Sequence, residues 1–272
     1  MILTDDELER YARQVVMPEI GEEGQKRLCD SHIAIIGVGG LGAPVIMALA
    51  GAGIGRLSLI DDDDVSLSNL NRQYIHNTQT LGLSKIQSAA AFVRSLNPDI
   101  TLHTHDQRFD TETGHSLLSD VDIVIDCSDL PATRYAVNAC CIALQIPLIF
   151  GGAVRTDGKV TSFLPANEKS PCFTCLFPDA DVEFEQAPSC AQAGILGTTT
   201  MVIGALQAAE AIRIIVGFGE NLCGTLLLYD GLNASFTPIK AQRTPHCPAC
   251  ADRLYSIAAT TRSGGVCPST NV

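Results

Sequence analysis

The stretch HIAIIGVGGLG, residues 32–42, decides the fold of this chain. An apolar run leads into a glycine-rich turn, and a helix-like segment over residues 43–52 follows. In this strand–turn–helix context the pattern Gly-x-Gly-x-x-Gly indicates nucleotide binding. Gly37 and Gly39 allow a tight turn with close backbone approach, and Gly42 lets the helix pack on the strand. The helix N-terminus then offers free N–H groups to a phosphate. A tight turn without a ligand is the alternative interpretation.

A second predicted strand, Arg56–Ile60, ends at Asp61, where a ribose-binding carboxylate falls in a dinucleotide fold. Asp61 opens a run of four aspartates that ends at Asp64. Two carboxylates ~4 Å apart repel by about 4 kcal/mol at an effective dielectric constant of ~20. We therefore expect the chain to expose some of them and to use others on a hydroxyl, a cation or an arginine. A solvated loop with one structural N-cap is the other interpretation.

Length and composition describe a well-packed globular protein. The 272 residues are 46% hydrophobic with a mean hydropathy of +0.20, and the net charge is −12. This charge argues against non-specific nucleic-acid or anionic-membrane binding. We find no apolar run long enough to span a bilayer and no signal-peptide pattern in the acidic first residues, so we expect a cytoplasmic protein.

Apolar segments alternate with helical periodicity along the first half of the chain. Strands are predicted at 33–36, 56–60, 100–104, 121–125 and 147–150, and helices at 41–52, 84–96, 110–119 and 131–144. Continuous apolar strands between helices predict an α/β fold with a doubly wound, Rossmann-like, mostly parallel sheet. A further helix is predicted over 4–17, with a break at glycines 21 and 24 and only a short segment over 25–28 after it.

After Gly151 the pattern changes. A hairpin is predicted to turn at Asp157-Gly158, and a long buried helix is predicted over 194–216. Antiparallel C-terminal strands are expected at 225–229 and 234–239. We expect one domain over 1–257, with a nucleotide-binding half over about 1–150 and a carrier-binding and zinc half over about 151–257, followed by a disordered tail over 258–272.

Charged residues follow the strands and helix starts where α/β ligands bind. Lys85 falls in the first turn of a helix that Ser84 is expected to cap, where a cation opposes the helix dipole at a cost of about 0.3–1 kcal/mol. A phosphate opposite Lys85 explains this position, and a merely exposed lysine is the alternative. Asp126 and Asp129 follow a buried strand. Asp129 is a candidate for Mg²⁺ or electrostatic work, whereas Asp126 is equally explained as a buried hydrogen-bonding group.

Ten of the eleven cysteines divide into three groups. Cys172-x-x-Cys175 and Cys247-x-x-Cys250 have the spacing of a structural zinc site with four thiolates, and a redox pair or simple packing is the alternative. Cys190 lies in a polar loop before the long helix, where a thiol can have a lowered pKa; an unreactive exposed thiol is the alternative. We expect the remaining cysteines of apolar segments to be core residues: Cys29, Cys127, Cys140, Cys141 and Cys223.

Two histidines lie near candidate sites. His76 follows SNLNRQ, and it either faces the site or is simply surface-exposed or hydrogen-bonded. His246 precedes Cys247 and could replace a metal ligand, although four cysteines already suffice.

Together, GVGGLG, LIDDDDVSLSNLNRQ, Lys85, DCSD and the paired Cys-x-x-Cys motifs closely resemble the ThiF/MoeB/HesA adenylyltransferases, which are relatives of ubiquitin-activating enzymes. The resemblance covers about residues 5–252 and leans towards ThiF through DDDDV, CLFPD (175–179), SCAQAGILG (189–197) and LYDG (228–231). One departure is Leu130, which follows Asp129 where the family usually has asparagine. It puts in doubt a polar contact from position 130.

The resemblance implies a role for individual residues. The turn formed by Gly37, Gly39, Gly40 and Gly42 would hold ATP phosphates, and Asp61 would bind the ribose. The triphosphate would be gripped by Asn69, Arg72 and Lys85, and Ser68 would belong to the same cofactor-binding set. Asp129 would organise Mg²⁺ and the reacting phosphate. Arg13 matches a family arginine that reaches the ATP of a partner subunit, which implies a homodimer. Cys190 matches a cysteine that can link covalently to the carrier.

The implied reaction is adenylylation of the C-terminal glycine carboxylate of a ubiquitin-like sulfur carrier (ThiS-like), with release of pyrophosphate, for thiamine thiazole synthesis. A sulfurtransferase or cysteine desulfurase is a further possible partner. MoeB-like activation of the molybdopterin synthase carrier subunit is the alternative within the family. An NAD-dependent oxidoreductase shares the glycine motif and the acidic residue but leaves Arg72, Lys85 and the four thiolates unexplained. A non-catalytic scaffold that binds a ubiquitin-like protein is disfavoured by Asp61, Arg72, Lys85 and Asp129.

Overall fold

The structure, a computed structural model, describes residues 3–178 and 193–251. Its centre is one eight-stranded sheet in the order β3-β2-β1-β4-β5-β6-β7-β8. The strands are β1 His32–Ile36, β2 Arg56–Asp61, β3 Thr101–Asp106, β4 Ile123–Asp126, β5 Leu148–Val154, β6 Asp157–Phe163, β7 Thr225–Asp230 and β8 Ser235–Lys240. The first five are parallel, and β6, β7 and β8 join antiparallel. The predicted mixed sheet is confirmed.

Helices cover both faces of the sheet. They are α1 Asp5–Arg10, α2 Ala12–Val15, α3 Gly21–Asp30, α4 Gly42–Ala52, α5 Lys85–Leu96, α6 Thr111–Leu117, α7 Pro131–Leu144, α8 Phe173–Leu176 and α9 Gly197–Val216. One apolar core lies between the sheet and α3, α4, α5 and α9, and a second lies under α6, α7 and α8. Two core layers around one sheet are what a doubly wound fold requires.

The N-terminal prediction needs correction. The predicted helix over 4–17 is interrupted at Tyr11 (φ −101°, ψ 13°), whose buried hydroxyl accepts a hydrogen bond from Asn97. The predicted glycine break is also wrong, because Gly21 begins α3 (φ +60°). Gly24 lies inside that helix, and a Cβ there would come within 2.8 Å of Val216 on α9. This glycine therefore allows two helices to approach closely.

The hairpin turn lies two residues earlier than predicted. Val154 pairs with Asp157, so the turn consists of Arg155 (φ +55°) and Thr156. Gly158, a predicted turn residue, lies in β6, where a Cβ would come within 2.3 Å of Ile203 on α9. Packing against α9 therefore explains this glycine.

α9 is the central helix of one layer and begins at residue 197 rather than 194. By length and composition alone it could cross a membrane, so the expectation that no apolar run is long enough to span a bilayer is wrong. Within the fold it packs on α4, where a Cβ at Gly204 would come within 2.4 Å of Pro44. Its fully buried Glu210 accepts hydrogen bonds from Ser162 Oγ and Leu222 N, each at 2.6 Å, and pairs with Arg213. We therefore assign α9 as a core helix.

At the other edge of the sheet, every side chain of β8 is exposed. Phe236 stacks on Tyr229 of β7 with ring centroids 4.9 Å apart, and Pro238 lies opposite Leu227. The predicted tail, 258–272, lies outside the described residues.

Candidate active site

A cleft opens at the carboxyl ends of β1, β2 and β4, where the strand order reverses direction. This switch point is the usual ligand position in open α/β sheets. Most of the predicted site residues line it: Gly37, Gly39, Gly40, Asp61, Arg72, Lys85 and Asp129.

The glycine turn has the close packing that the sequence predicts. Gly37 has φ +93°, and a Cβ at Gly42 would come within 2.1 Å of the Gly37 carbonyl oxygen. Within the described ranges 3–178 and 193–251, the N–H groups of Gly39 and Gly40 have no hydrogen-bond partner. Since both glycines line the cleft just before α4, the turn presents free donors to an anion.

Asp61 anchors this turn. Its carboxylate accepts hydrogen bonds from Val38 N at 2.6 Å and from Asp63 N at 2.9 Å, and Lys85 Nζ lies 3.9 Å away. Burial raises the pKa of Asp61, whereas Lys85 and the two N–H donors oppose that rise. The carboxylate thus both holds the glycine turn and faces the cleft.

Lys85 is buried, so the exposed-lysine interpretation is wrong. Its Nζ donates to Asp63 Oδ2 at 2.6 Å. The predicted cap is confirmed, since the Ser84 hydroxyl accepts a hydrogen bond from Gln87 N. A desolvated cation is therefore held at the cleft by two carboxylates.

Arg72 also lines the cleft, and its guanidinium donates to Ser68 O at 2.7 Å and to Asn71 Oδ1 at 3.1 Å. Ser68 and Asn69 are not among the described residues around the cleft; they lie in a 3-10 turn over 67–69. Asn69 Oδ1 accepts from Ser66 N at 3.0 Å. These two residues shape the turn that carries Arg72.

The two aspartates after β4 differ in environment. Asp126 is buried, accepts hydrogen bonds from Ser128 N and Oγ at 2.9 and 2.6 Å, and has its pKa raised by burial. Its hydrogen-bonding interpretation is confirmed. Asp129 is exposed in the cleft wall, and Leu130 lies beside it with 43% of its surface exposed.

Sequence reasoning missed two cleft arginines. Arg108 follows β3 and donates to Asp62 Oδ2 at 2.9 and 3.1 Å. Arg134, in the first turn of α7, donates to Ser128 O and lies 5.2 Å from the centroid of the Phe150 ring. The position of Arg108 just past a parallel strand was a usable signal. Arg134 required the packing of α7, which local sequence does not reveal.

Two predicted site residues are not among the described residues that line the cleft. Arg13 is exposed on α2 and does not line the cleft of its own chain. Cys190 lies outside the described residues.

The four paired cysteines form one cluster. The Sγ atoms of Cys172 and Cys175 are 3.7 Å apart, those of Cys172 and Cys247 are 3.7 Å apart, and those of Cys175 and Cys250 are 3.6 Å apart. All four sulfur atoms lie within 4.8 Å of one another. Tetrahedral Zn–S bonds of about 2.3 Å give sulfur separations of about 3.8 Å, so the cluster fits zinc. His246 is exposed and is not a member of the cluster.

The other cysteines follow the prediction in part. Cys127, Cys140 and Cys141 are buried, but Cys29 and Cys223 are only half-buried, so their assignment to the core is wrong. Cys29 lies at the end of α3, and Cys223 lies just before β7, so neither residue is inside an apolar core.

Comparisons with known proteins support the family resemblance. The model of the ThiF family matches residues 11–249. The chain is 41% identical over 246 residues to the SAMP-activating enzyme E1 of Haloferax volcanii, covering 90% of each chain. It is 40% identical over 252 residues to the sulfur carrier protein adenylyltransferase of Thermus thermophilus, covering 92% of this chain and 93% of the relative.

A longer relative and two solved structures add to this. Adenylyltransferase and sulfurtransferase MOCS3 of Culex quinquefasciatus is 41% identical over 252 residues, which are 92% of this chain and 57% of that protein. E. coli MccB with MccA-N7isoASN superposes with a TM-score of 0.77 at 23% identity, over 90% of this chain and 74% of the other. PaaA superposes with a TM-score of 0.75 at 23% identity, over 89% and 76%. These two structures support the fold alone.

Proposed function

Because this chain belongs to the ThiF family, we propose that its cleft binds ATP and adenylylates the C-terminal carboxylate of a ubiquitin-like sulfur carrier. The chain is an adenylyltransferase, the activity named for its relatives. One observation carries the proposal: free N–H donors of a glycine turn, a buried lysine, an arginine and two carboxylates share one cleft at the strand switch point. The oxidoreductase alternative gains no support from the relatives' names.

The cleft suggests how ATP would lie. The N–H groups of Gly39 and Gly40 would receive phosphate oxygens, and Asp61 at the end of β2 would face the ribose hydroxyls. Lys85 would contribute charge without paying for desolvation at binding, because its ammonium group is already buried between carboxylates. Arg72 would turn from Ser68 O towards the phosphates.

Asp129 would hold Mg²⁺, since an exposed carboxylate in the cleft wall suits a hard cation that prefers oxygen ligands. The ion would neutralise phosphate charge. The side chain of Leu130 offers no oxygen, so of these two side chains we assign the polar contact to Asp129 alone.

The reaction is a displacement at phosphorus. A carrier carboxylate oxygen forms a bond to the α-phosphorus of ATP while the bond from that phosphorus to the bridging oxygen of the β-phosphate breaks. An acyl-adenylate and pyrophosphate result. Such a transfer depends on positioning and on neutralising charge more than on a strong base, so Arg72, Lys85 and a partner subunit's arginine at position 13 suit it.

We infer further features from the family resemblance. The carrier is ThiS-like and serves thiamine thiazole synthesis, with a sulfurtransferase or cysteine desulfurase as the sulfur source. Cys190 forms the covalent link to the carrier: its thiolate attacks the carbonyl carbon of the acyl-adenylate, the bond from that carbon to the phosphate oxygen breaks, and a thioester and AMP result. The enzyme is a cytoplasmic homodimer, and the four clustered cysteines hold a structural zinc ion that ties residues 172–175 to 247–250.

ATP–pyrophosphate exchange with purified carriers tests the proposal. We expect exchange that depends on a carrier, with a ThiS-like carrier more effective than a molybdopterin synthase subunit. A preference for the second carrier would reassign the pathway while keeping the activity. No exchange with any carrier, in protein that still binds ATP, would favour the scaffold interpretation.

A carrier-trapping assay tests Cys190 separately. The parent is expected to form a thiol-sensitive adduct with the carrier, and Cys190→Ala to lose it. Cys223→Ala, which changes a half-buried cysteine outside the zinc cluster, is the matched control. An undiminished adduct on Cys190→Ala would remove the covalent role.

A further inference from the structure

His76 is a buried histidine that the reaction described above does not use. It is only 4% exposed, although it lies directly beneath the glycine turn. Its Nε2 is 3.2 Å from the Val38 carbonyl oxygen, and its Nδ1 is 2.8 Å from Ser88 Oγ on α5. Both ring nitrogens are therefore engaged, one of them on the phosphate-binding loop.

The partners determine the tautomer. A carbonyl oxygen only accepts, so Nε2 carries the hydrogen and donates it to Val38 O. In the neutral ring, Nδ1 then accepts from the Ser88 hydroxyl. Burial lowers the pKa of His76, and the nearby Lys85 ammonium lowers it further, although the Val38 contact opposes both effects. The histidine is thus a neutral donor with a defined direction.

That direction has a consequence for the next residue. In a planar trans peptide, the C=O of one residue and the N–H of the next point in opposite directions. The Val38 carbonyl points towards buried His76, so the Gly39 N–H points away from it. Gly39 lines the cleft, and its N–H has no partner within the described ranges.

A second side chain holds the preceding peptide. Asp61 accepts the hydrogen bond of Val38 N at 2.6 Å, so two successive peptides of the turn are held from two sides. Such control matters at a glycine, because glycine adopts both positive and negative φ at little cost and its peptide can turn over. Among the described residues, His76 is the only hydrogen-bond donor to the Val38 carbonyl oxygen.

We propose that His76, oriented by Ser88, is a positioning residue that fixes the Val38–Gly39 peptide so that the Gly39 N–H points at the nucleotide phosphates. This inference rests on the proposed nucleotide site. It predicts that His76 acts on the phosphate part of the ligand and not on the nucleoside part.

The test compares ATP and adenosine binding by calorimetry in four variants. His76→Leu removes the donor, and we expect ATP affinity to fall about tenfold, the equivalent of one typical hydrogen bond, with adenosine affinity unchanged. His76→Gln keeps an amide donor and is expected to remain within about threefold of the parent. Ser88→Ala frees the tautomer and should weaken ATP by a smaller factor. His115→Leu, at an exposed position on α6, is the matched control and should change neither ligand.

Several outcomes would overturn the inference. Equal losses for ATP and adenosine would show a general structural role, as would a loss of ATP binding in His76→Gln as large as in His76→Leu. Thermal unfolding of each variant identifies any that fails to fold, in which case Ser88→Ala decides the question. If the parent itself does not bind ATP, the proposed function fails as well, whereas a parent that binds ATP alongside an unaffected His76→Leu rejects only the role of His76.

Discussion

Lys85 is a cation buried at the N-terminus of α5, a position that the helix dipole disfavours. Asp63 at 2.6 Å and Asp61 at 3.9 Å provide the opposite charge that keeps it there. Breaking such a pair by removing one partner leaves an uncompensated buried charge, which is costly. The Lys85 side chain is therefore already buried beside two carboxylates before any nucleotide enters, and of these the Asp61 side chain is only 9% exposed whereas that of Asp63 is exposed.

His76 also makes the stability of the folded protein depend on pH. Because the pKa of His76 is lowered in the folded protein, the unfolded chain takes up a proton more readily below its ordinary pKa of about 6.5. The free energy of unfolding should therefore fall as pH drops through that value. Urea unfolding from pH 7.5 to 5.5 is expected to show a steeper fall for the parent than for His76→Gln, which has no titratable group at that position.

The comparison with the variant isolates this histidine from other buried groups. The pKa of His32 is lowered by burial too, and the raised pKa values of Asp61 and Asp126 act in the opposite sense at lower pH. All of these remain in His76→Gln. Parallel stability curves for the two proteins would contradict the prediction.

Much of the site could be predicted from sequence, because its residues follow strand ends and helix starts. Asp61 and Asp129 occupy such positions, and Lys85 follows a serine cap. The hydrogen-bond partners of Arg72 and His76 could not be predicted, because they depend on which backbone carbonyl each side chain meets. Ser68 O receives Arg72, and Val38 O receives His76.

At the scale of elements, the glycine turn and α4 depend on close contact with β1. In Gly42→Ala the new Cβ would lie 2.1 Å from the Gly37 carbonyl oxygen, so α4 must move away from the turn. Overpacking of this kind costs about 1–3 kcal/mol, and occasionally more. We expect a loss of that size in urea unfolding, together with weaker ATP binding.

Gly51 provides the matched control on the same helix. A Cβ at that position meets nothing within 4 Å, and the residue is exposed. Alanine inside a helix is favoured over glycine by about 0.5–1 kcal/mol, so Gly51→Ala should be neutral or slightly stabilising. A Gly42→Ala protein as stable as Gly51→Ala would show that the turn tolerates the extra carbon.

The sequence identified most elements because local pattern and tertiary packing agree in the parallel half. They disagree at the hairpin, where Asp157-Gly158 is a strong local turn signal but Gly158 is required by Ile203 on α9. They disagree again at Gly24, which lies inside α3 and leaves no room for a Cβ because Val216 of α9 packs against it. In both cases a glycine that reads as a break is a point of close helix packing.

At the scale of the whole molecule, the cysteine cluster joins residues 75 apart in sequence, such as Cys172 and Cys247. We expect about one zinc ion per chain by elemental analysis. Cys247→Ser should release it and expose the C-terminal segment to limited proteolysis. Cys223→Ser, outside the cluster, should retain it. Carefully purified parent protein without bound zinc would contradict the assignment.

Subunit complementation tests the proposed homodimer. Arg13→Ala and Lys85→Met each disable the exchange reaction if both residues serve it. In a mixed dimer, one cleft then combines an intact Lys85 with the partner subunit's intact arginine. Random assembly makes half of the dimers mixed, each with one active cleft of two, so mixing should restore about a quarter of parental exchange.

The size of the restored activity decides between two arrangements. An arginine acting within its own chain gives no restoration, because every cleft then contains one defect. Size-exclusion chromatography of the parent provides the control, since a monomer at the assay concentration would contradict the arrangement directly.

The strand that completes the sheet also ends it. Among residues 3–178 and 193–251, β8 is the last strand of the sheet, and the unpaired backbone groups of an edge strand are the usual starting point for chain-to-chain aggregation. Pro238 lacks an N–H and so weakens that edge as a template, and Lys240 adds a charge at its end. The hairpin that extends the sheet beyond the cleft therefore also influences how readily the molecules associate with one another in concentrated solution.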